Sequence, residues 1–218
     1  MGHLSILEQI ALAIIPLLFA ITIHEMAHGW AASKLGDKTA WMLGRVSLNP
    51  IKHVDFIGTL FIPFILIAFK SPVIFGWAKP VPINPRNFKN PRRDMALTAA
   101  AGPLSNLLMA ILWAIAAKIG IVLLQAGMGF GVALLLMGRA GIWINLVLMF
   151  LNLIPLPPLD GGRILVGLLP RSLAIKYARI EPYGFFILLF LVIIGILNFL
   201  MIPVAGVERL LGAIFGLF

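Results

Sequence analysis

The chain has 218 residues, 61% hydrophobic and 11% charged, which excludes an ordinary soluble domain and leaves a small polytopic membrane protein. Its net charge of +9 sits in short loops between apolar runs, so it reads as a topology signal and not as a nucleic-acid face. Cysteine is absent, which removes disulfides and thiolate ligands and leaves His, Asp, Glu, Asn or backbone oxygen for any metal.

Leu4 to about Leu35 reads as the first membrane helix, kinked at Pro16 and stopped at Gly36. It is too long for the apolar core of a signal peptide, so it stays in the mature protein. Lys34, Lys38, Arg45 and Lys52 follow, placing this end in the cytoplasm and the N-terminus outside. Ala40 to Pro50 is short, mixed and bounded by Gly and Pro, the pattern of a strand or hairpin arm. Ile57 to Phe69 is apolar but short and broken by Pro63. Ser71 to Pro85 is interrupted by Pro72, Pro80 and Pro82, so it cannot be helix and suits an edge strand or extended loop. Asp94 to about Ile119 is a clear membrane helix carrying Ala99-Ala-Ala-Gly102, small residues that permit close packing. Gly120 to Gly131 reads as a loop, and about Val132 to Leu153 as the next helix. Arg163 to Arg179 is basic and suits a short surface helix. Tyr183 to Met201 is the last span, with an interfacial or packed tail from Pro203 to Phe218. The expected fold is one all-α polytopic domain over residues 1–218. It has about four to six membrane segments, one of them re-entrant. Short β-strand or hairpin segments are expected near 40–50 and 72–85.

The first helix carries His24-Glu25-Met26-Ala27-His28. Histidines four apart lie on one helical face, one turn apart, and can bind one zinc ion. Glu25 is rotated off that face and suits a metal-bound water better than the metal. Ionisable groups at membrane depth are expensive and mark function, although hydrogen bonds to other helices would also explain the two histidines. Two imidazoles do not complete a catalytic zinc site, which usually has three protein ligands. Glu8, Asp37, Asp55, Asp94, Glu181 and Glu208 lie at segment ends or in loops, and His3 and His53 read as surface groups. Asp160 differs. It follows an apolar run in backbone that three prolines keep from being helical, and Gly161 and Gly162 follow it. Capping of the next segment is the alternative for Asp160.

With these residues the chain resembles the site-2 protease family of intramembrane zinc metalloproteases. The HEMAH run matches the family's HExxH. Asn152-x-x-Pro155-x-Pro157-x-Leu159-Asp160-Gly161 matches its second signature. Ala101-Gly-Pro-Leu-Ser-Asn106 and Gly76-Trp-Ala-Lys-Pro-Val-Pro-Ile-Asn-Pro85 are similar to stretches in small prokaryotic members. The likeness covers roughly residues 10 to 200. It implies a zinc-dependent endopeptidase that cuts membrane-protein substrates in or near their transmembrane segments. It further implies one zinc per chain held by His24, His28 and Asp160, with Glu25 as catalytic base. Asn152 would position substrate or face the oxyanion. The chain departs from better-known members in lacking a PDZ-like insertion and a nucleotide-sensing domain.

If the first helix and the 132–153 helix both end at one metal site, an even number of crossings separates those ends. Ile57–Phe69 is then the run that does not span, and a re-entrant hairpin is expected there. A substrate helix must unwind before hydrolysis, and Ala40–Pro50 and Trp77–Pro85 could hold it by strand addition. Val46 and Val81 are the positions at which proline would remove a ladder donor. Asn106 is a further candidate substrate contact, with a helix–helix hydrogen bond as the alternative for Asn106, Asn145 and Asn152. The competing functions are a metal-ion transporter using the same ligands and a membrane scaffold. The expected location is the prokaryotic plasma membrane, with the active site toward the cytoplasm.

Overall fold

The computed structural model describes residues 6–61, 65, 69 and 76–217. The regular elements among them are all helical. They are α1 (Ile6–Leu35), α2 (Thr39–Met42), α3 (Pro91–Gln125), α4 (Gly131–Asn152), α5 (Asp160–Leu168), α6 (Arg171–Ala178), α7 (Glu181–Ile193) and α8 (Met201–Phe215). Short 3-10 turns occupy Pro50–Lys52, Pro85–Asn87 and Ile196–Leu200, and a π-helical turn occupies Phe56–Phe61. Among the described residues, four stretches are long and apolar enough to cross a membrane: Ala11–Leu35, Pro91–Gln125, Gly131–Asn152 and Ile196–Phe215.

The β segments expected near 40–50 and 72–85 are not formed among the described residues. Ala40–Pro50 instead begins inside α2, which ends in a Schellman turn. Gly44 has φ +63, its N–H donates to Trp41 O at 2.9 Å, and Arg45 N–H donates to Ala40 O at 2.9 Å. Gly44, inside the segment expected as a strand, follows a helix C-terminus. Of the second segment, residues 72–75 lie outside the described residues. From Gly76 to Asn84 the chain has no regular secondary structure and forms no ladder. Its donors go elsewhere: Trp77 N–H to Gly58 O at 3.1 Å, Lys79 N–H to His53 O at 2.9 Å, and Asn84 N–H to the Asp37 carboxylate at 2.7 Å. Proline kept this stretch out of a helix, and irregular partners rather than a neighbouring strand satisfied it. Of the run 57–69, where a re-entrant hairpin was expected, residues 62–64 and 66–68 lie outside the described residues. Its described start belongs to the π turn.

Helix α1 stops at Gly36, φ +117, where a side chain would meet Asn87 O at 2.9 Å. Helices α3 and α4 run further toward each other than the sequence suggested. The loop shrinks to Ala126–Phe130 because Ile121–Gln125 are ordinary helix formers. A further difference lies at the C-terminal end. Gly195, φ +74, breaks the apolar run read as 183–201, and the last candidate span becomes Ile196–Phe215. Pro203 falls in the first turn of α8, where no intrahelical N–H is needed.

The chain divides into two compact units. One comprises Met1–Ala20, Pro103–Leu153 and Leu197–Phe218. Its core is Ala110, Ala114 and Ala117 of α3, Ile142, Leu146 and Met149 of α4, and Val204 and Leu211 of α8. Helices α3 and α4 approach closely through small residues: a Cβ on Gly138 would lie 2.7 Å from Ala117 Cβ, and one on Gly120 2.6 Å from Leu135 N. The other unit comprises Ile21–Gly102 and Ile154–Ile196. It holds the second half of α1, the irregular 76–84 segment, the first turns of α3, and α5 to α7.

Candidate metal centre

His24 and His28 lie on α1, both buried, with their Nε2 atoms 3.1 Å apart. Asp160 is the first residue of α5, and Leu159, not Asp160, occupies the cap position. The carboxylate is therefore not capping its helix. Its Oδ2 lies 3.2 Å from His24 Nε2 and 3.3 Å from His28 Nε2. Asp160 is carried there by the turn through Pro155–Pro158, which Tyr177 ties down by donating its hydroxyl to Pro155 O. Gly162 and Gly184 let α5 and α7 close on this turn: a Cβ on Gly162 would collide with Pro157 N, and one on Gly184 with Pro157 O.

These three atoms fit a zinc ion. A tetrahedral centre with bonds of about 2.0–2.1 Å separates its ligand atoms by about 3.3–3.4 Å, close to the observed triangle. Protonation leads to the same reading. Thr98 O can only accept, so His28 Nδ1, 2.8 Å away, carries the proton and neutral His28 turns a bare Nε2 into the centre. Asp160 Oδ2 is buried there with no hydrogen-bond partner. Electron-rich atoms converging on one buried point are stable when a cation lies between them.

Gly102 completes the cradle, and sequence reasoning saw in it only a small packing residue. A Cβ at Gly102 would lie 2.5 Å from His28 Nε2 and Cε1 and 2.6 Å from His24 Cε1. The available signal was a glycine inside a helix, which is unfavourable by about 1 kcal/mol against alanine and so calls for a packing or functional reason.

Glu25 projects from α1 beside the ligands, and its Oε2 accepts the Val81 N–H at 2.8 Å. Val46 and Val81 pack together over Gly29, whose Cβ would lie 2.9 Å and 3.1 Å from their methyl carbons. Asn152, the last residue of α4, belongs to the other unit and donates to Leu148 O at 3.0 Å. Asn106, in that unit too, is fully buried and donates to Asn145 Oδ1 at 3.0 Å and Ala20 O at 3.4 Å. His53, read as a surface group, is 1% exposed and donates to Ser47 O at 2.9 Å. Asp37, placed in a loop, is fully buried, and its carboxylate gathers Asn84 N–H and the Asn87 amide, both at 2.7 Å.

A family model described as peptidase family M50 matches residues 119–195. The "Putative zinc metalloprotease YwhC" of Bacillus subtilis is 41% identical over 204 residues, covering 90% of this chain and 86% of that protein. The "Putative zinc metalloprotease Rip2" of Mycolicibacterium smegmatis is 28% identical over 196 residues, covering 89% and 71%. Its namesake in Mycobacterium tuberculosis is 28% identical over 166 residues, covering 76% and 54%. No solved structure matches the chain.

Proposed function

The chain belongs to peptidase family M50, a zinc-dependent intramembrane metalloendopeptidase of the site-2 protease type, and from that premise we propose the roles of its residues. His24, His28 and Asp160 hold one zinc ion per chain. The observation that carries this is the triangle of buried Nε2 and Oδ2 atoms with edges of 3.1, 3.2 and 3.3 Å. Among the described residues it is the one cluster of metal-ligating side chains, whereas a metal transporter would need further ligands along a path.

Zinc, when bound, supplies a Lewis acid that polarises a carbonyl and acidifies water. Glu25 takes the proton of the attacking water and returns it to the leaving amine. The support is its place next to His24, off the ligand face, with one carboxylate oxygen already held by Val81 N–H. The family resemblance assigns the Asn152 side-chain amide to positioning substrate or the oxyanion. One of its two amide protons goes to Leu148 O, which leaves a second donor. The active site opens to the cytoplasm, on the support of Lys34, Lys38, Arg45 and Lys52 just after α1. The substrates are membrane proteins cut in or near their transmembrane segments.

The test is Glu25→Gln in the full chain against a single-pass membrane substrate. We expect zinc to remain at one per chain, measured by atomic emission, and cleavage to fall by about 10²–10⁴-fold. Cleavage at the wild-type rate would refute the assignment of the base.

A further inference from the structure

Glu25 is a long side chain with three rotatable bonds, and a base that wanders is a poor base. Proton abstraction requires it within hydrogen-bond reach of the water, and a misplacement of 1 Å can cost about 10²-fold in rate. The described contacts provide one anchor for its carboxylate, the Val81 N–H at 2.8 Å. A backbone donor to a carboxylate is a charge-assisted hydrogen bond, roughly twice as strong as a neutral one.

The local sequence aims that donor. Val81 stands between Pro80 and Pro82, so between Lys79 and Ile83 it carries the single backbone N–H. Each proline fixes its own φ and pushes the residue before it into extended backbone, which stiffens Lys79–Pro82. Side chains and carbonyls then clamp the stiff piece from outside. Arg45 Nη2 donates to Lys79 O at 2.8 Å and Pro80 O at 3.3 Å. Lys79 N–H donates to His53 O at 2.9 Å, and the buried His53 ring holds Ser47 O. The Val81 side chain seats on Gly29, one turn beyond Glu25 on the same helix. One N–H is thus bracketed on both sides and pointed at one oxygen.

We propose that Lys79–Pro82 positions the catalytic base: Val81 N–H orients the Glu25 carboxylate, and Arg45 acts through it as a positioning residue. The proposal rests on Glu25 being the base. One carboxylate oxygen is held by the strap, and the other is left to take the proton. A consequence follows for substrate binding. The Val81 donor is already committed, so a substrate strand cannot use it as a ladder partner.

The experiment replaces Val81 by its α-hydroxy analogue, which exchanges the N–H for an ester oxygen and keeps the side chain, in the full-length zinc-loaded enzyme. Val81→Pro, Arg45→Ala and Arg45→Lys accompany it, with Glu25→Gln as reference. Steady-state cleavage of a single-pass substrate, zinc per chain and hydrogen exchange at the Val81 amide are measured. We expect the ester and Val81→Pro to lower kcat about 10–10²-fold with KM and zinc content unchanged. Arg45→Ala should lower kcat less, and Arg45→Lys should recover part of that loss. The Val81 amide should exchange slowly in the wild type and faster in Glu25→Ala. A wild-type kcat for the ester, a loss confined to KM or to zinc content, or an exchange rate indifferent to Glu25 would overturn the positioning role. If instead Glu25→Gln cleaves normally, it is the base assignment that fails.

Discussion

Replacing Gly102 by alanine adds one methyl group where the centre has no room for it. The new Cβ would sit 2.5 Å from His28 Nε2 and 2.6 Å from His24 Cε1, while carbon atoms in contact stand about 3.5–4.0 Å apart. One or both imidazoles must therefore move by roughly 1 Å. Zinc sites tolerate about 0.2 Å in their bond lengths, so the ligand triangle opens beyond what one ion can bridge. Two opposing effects act on the fold itself. Alanine in a helix interior gains about 1 kcal/mol over glycine, and overpacking costs about 1–3 kcal/mol, leaving a net change of about 0–2 kcal/mol. The fold should survive while the metal is lost. We expect Gly102→Ala to weaken zinc binding at least about 10²-fold, more than a typical change of an outer-shell partner. Competition with a chelator and thermal unfolding with and without zinc would measure it. Wild-type protein should melt higher with zinc and the variant should not, because only a bound ion stabilises by mass action. Wild-type zinc affinity in a folded Gly102→Ala protein would refute the reasoning.

Two further outcomes test the parts around the site. Burial pushes the Asp37 carboxyl up, but hydrogen bonds from Thr39, Asn87 and the Asn84 and Thr39 amides outweigh it and hold the group below its ordinary value. A carboxyl lowered on folding stabilises the protein above its unfolded pKa of about 3.9, and that contribution is lost as pH falls through the folded value. Thermal melts of Asp37→Asn against wild type should differ above pH 4 and converge below it; a gap independent of pH would count against this. In the other unit, Asn145→Ala removes a partner of the buried Asn106 amide. Hydrogen bonds between membrane helices average about 0.6 kcal/mol with a maximum near 1.7, so a small fall in melting temperature is expected, with zinc content unchanged. Loss of zinc in Asn145→Ala would mean that this pair does more than tie α1, α3 and α4 together.

Where the chain's local rules were strong, the sequence was read well. The helices around 4–35, 94–119 and 132–153 follow from long apolar runs, since a backbone in lipid must satisfy itself. His24 and His28 needed only the helical period, and Asp160 stood out because its surroundings could not be helical. Glycine and proline were harder, because each serves opposite purposes. Gly44 closes a helix in the middle of a segment expected to be a strand or hairpin arm. Gly195 divides an apolar run that composition presents as a single span. Gly76–Asn84, in the stretch read as an edge strand or extended loop, forms no ladder among the described residues.

The candidate ligand types were legible in the amino-acid sequence alone, since imidazoles one helical turn apart and an Asp in proline-broken chain carry their chemistry locally. The tertiary structure alone decided which atoms meet. It brought Asp160 to the two imidazoles and set Gly102 against their rings. It also turned the Val81 N–H onto Glu25. The physical reason is that close approach depends on packing between segments far apart in the chain, and neither period nor composition records that distance.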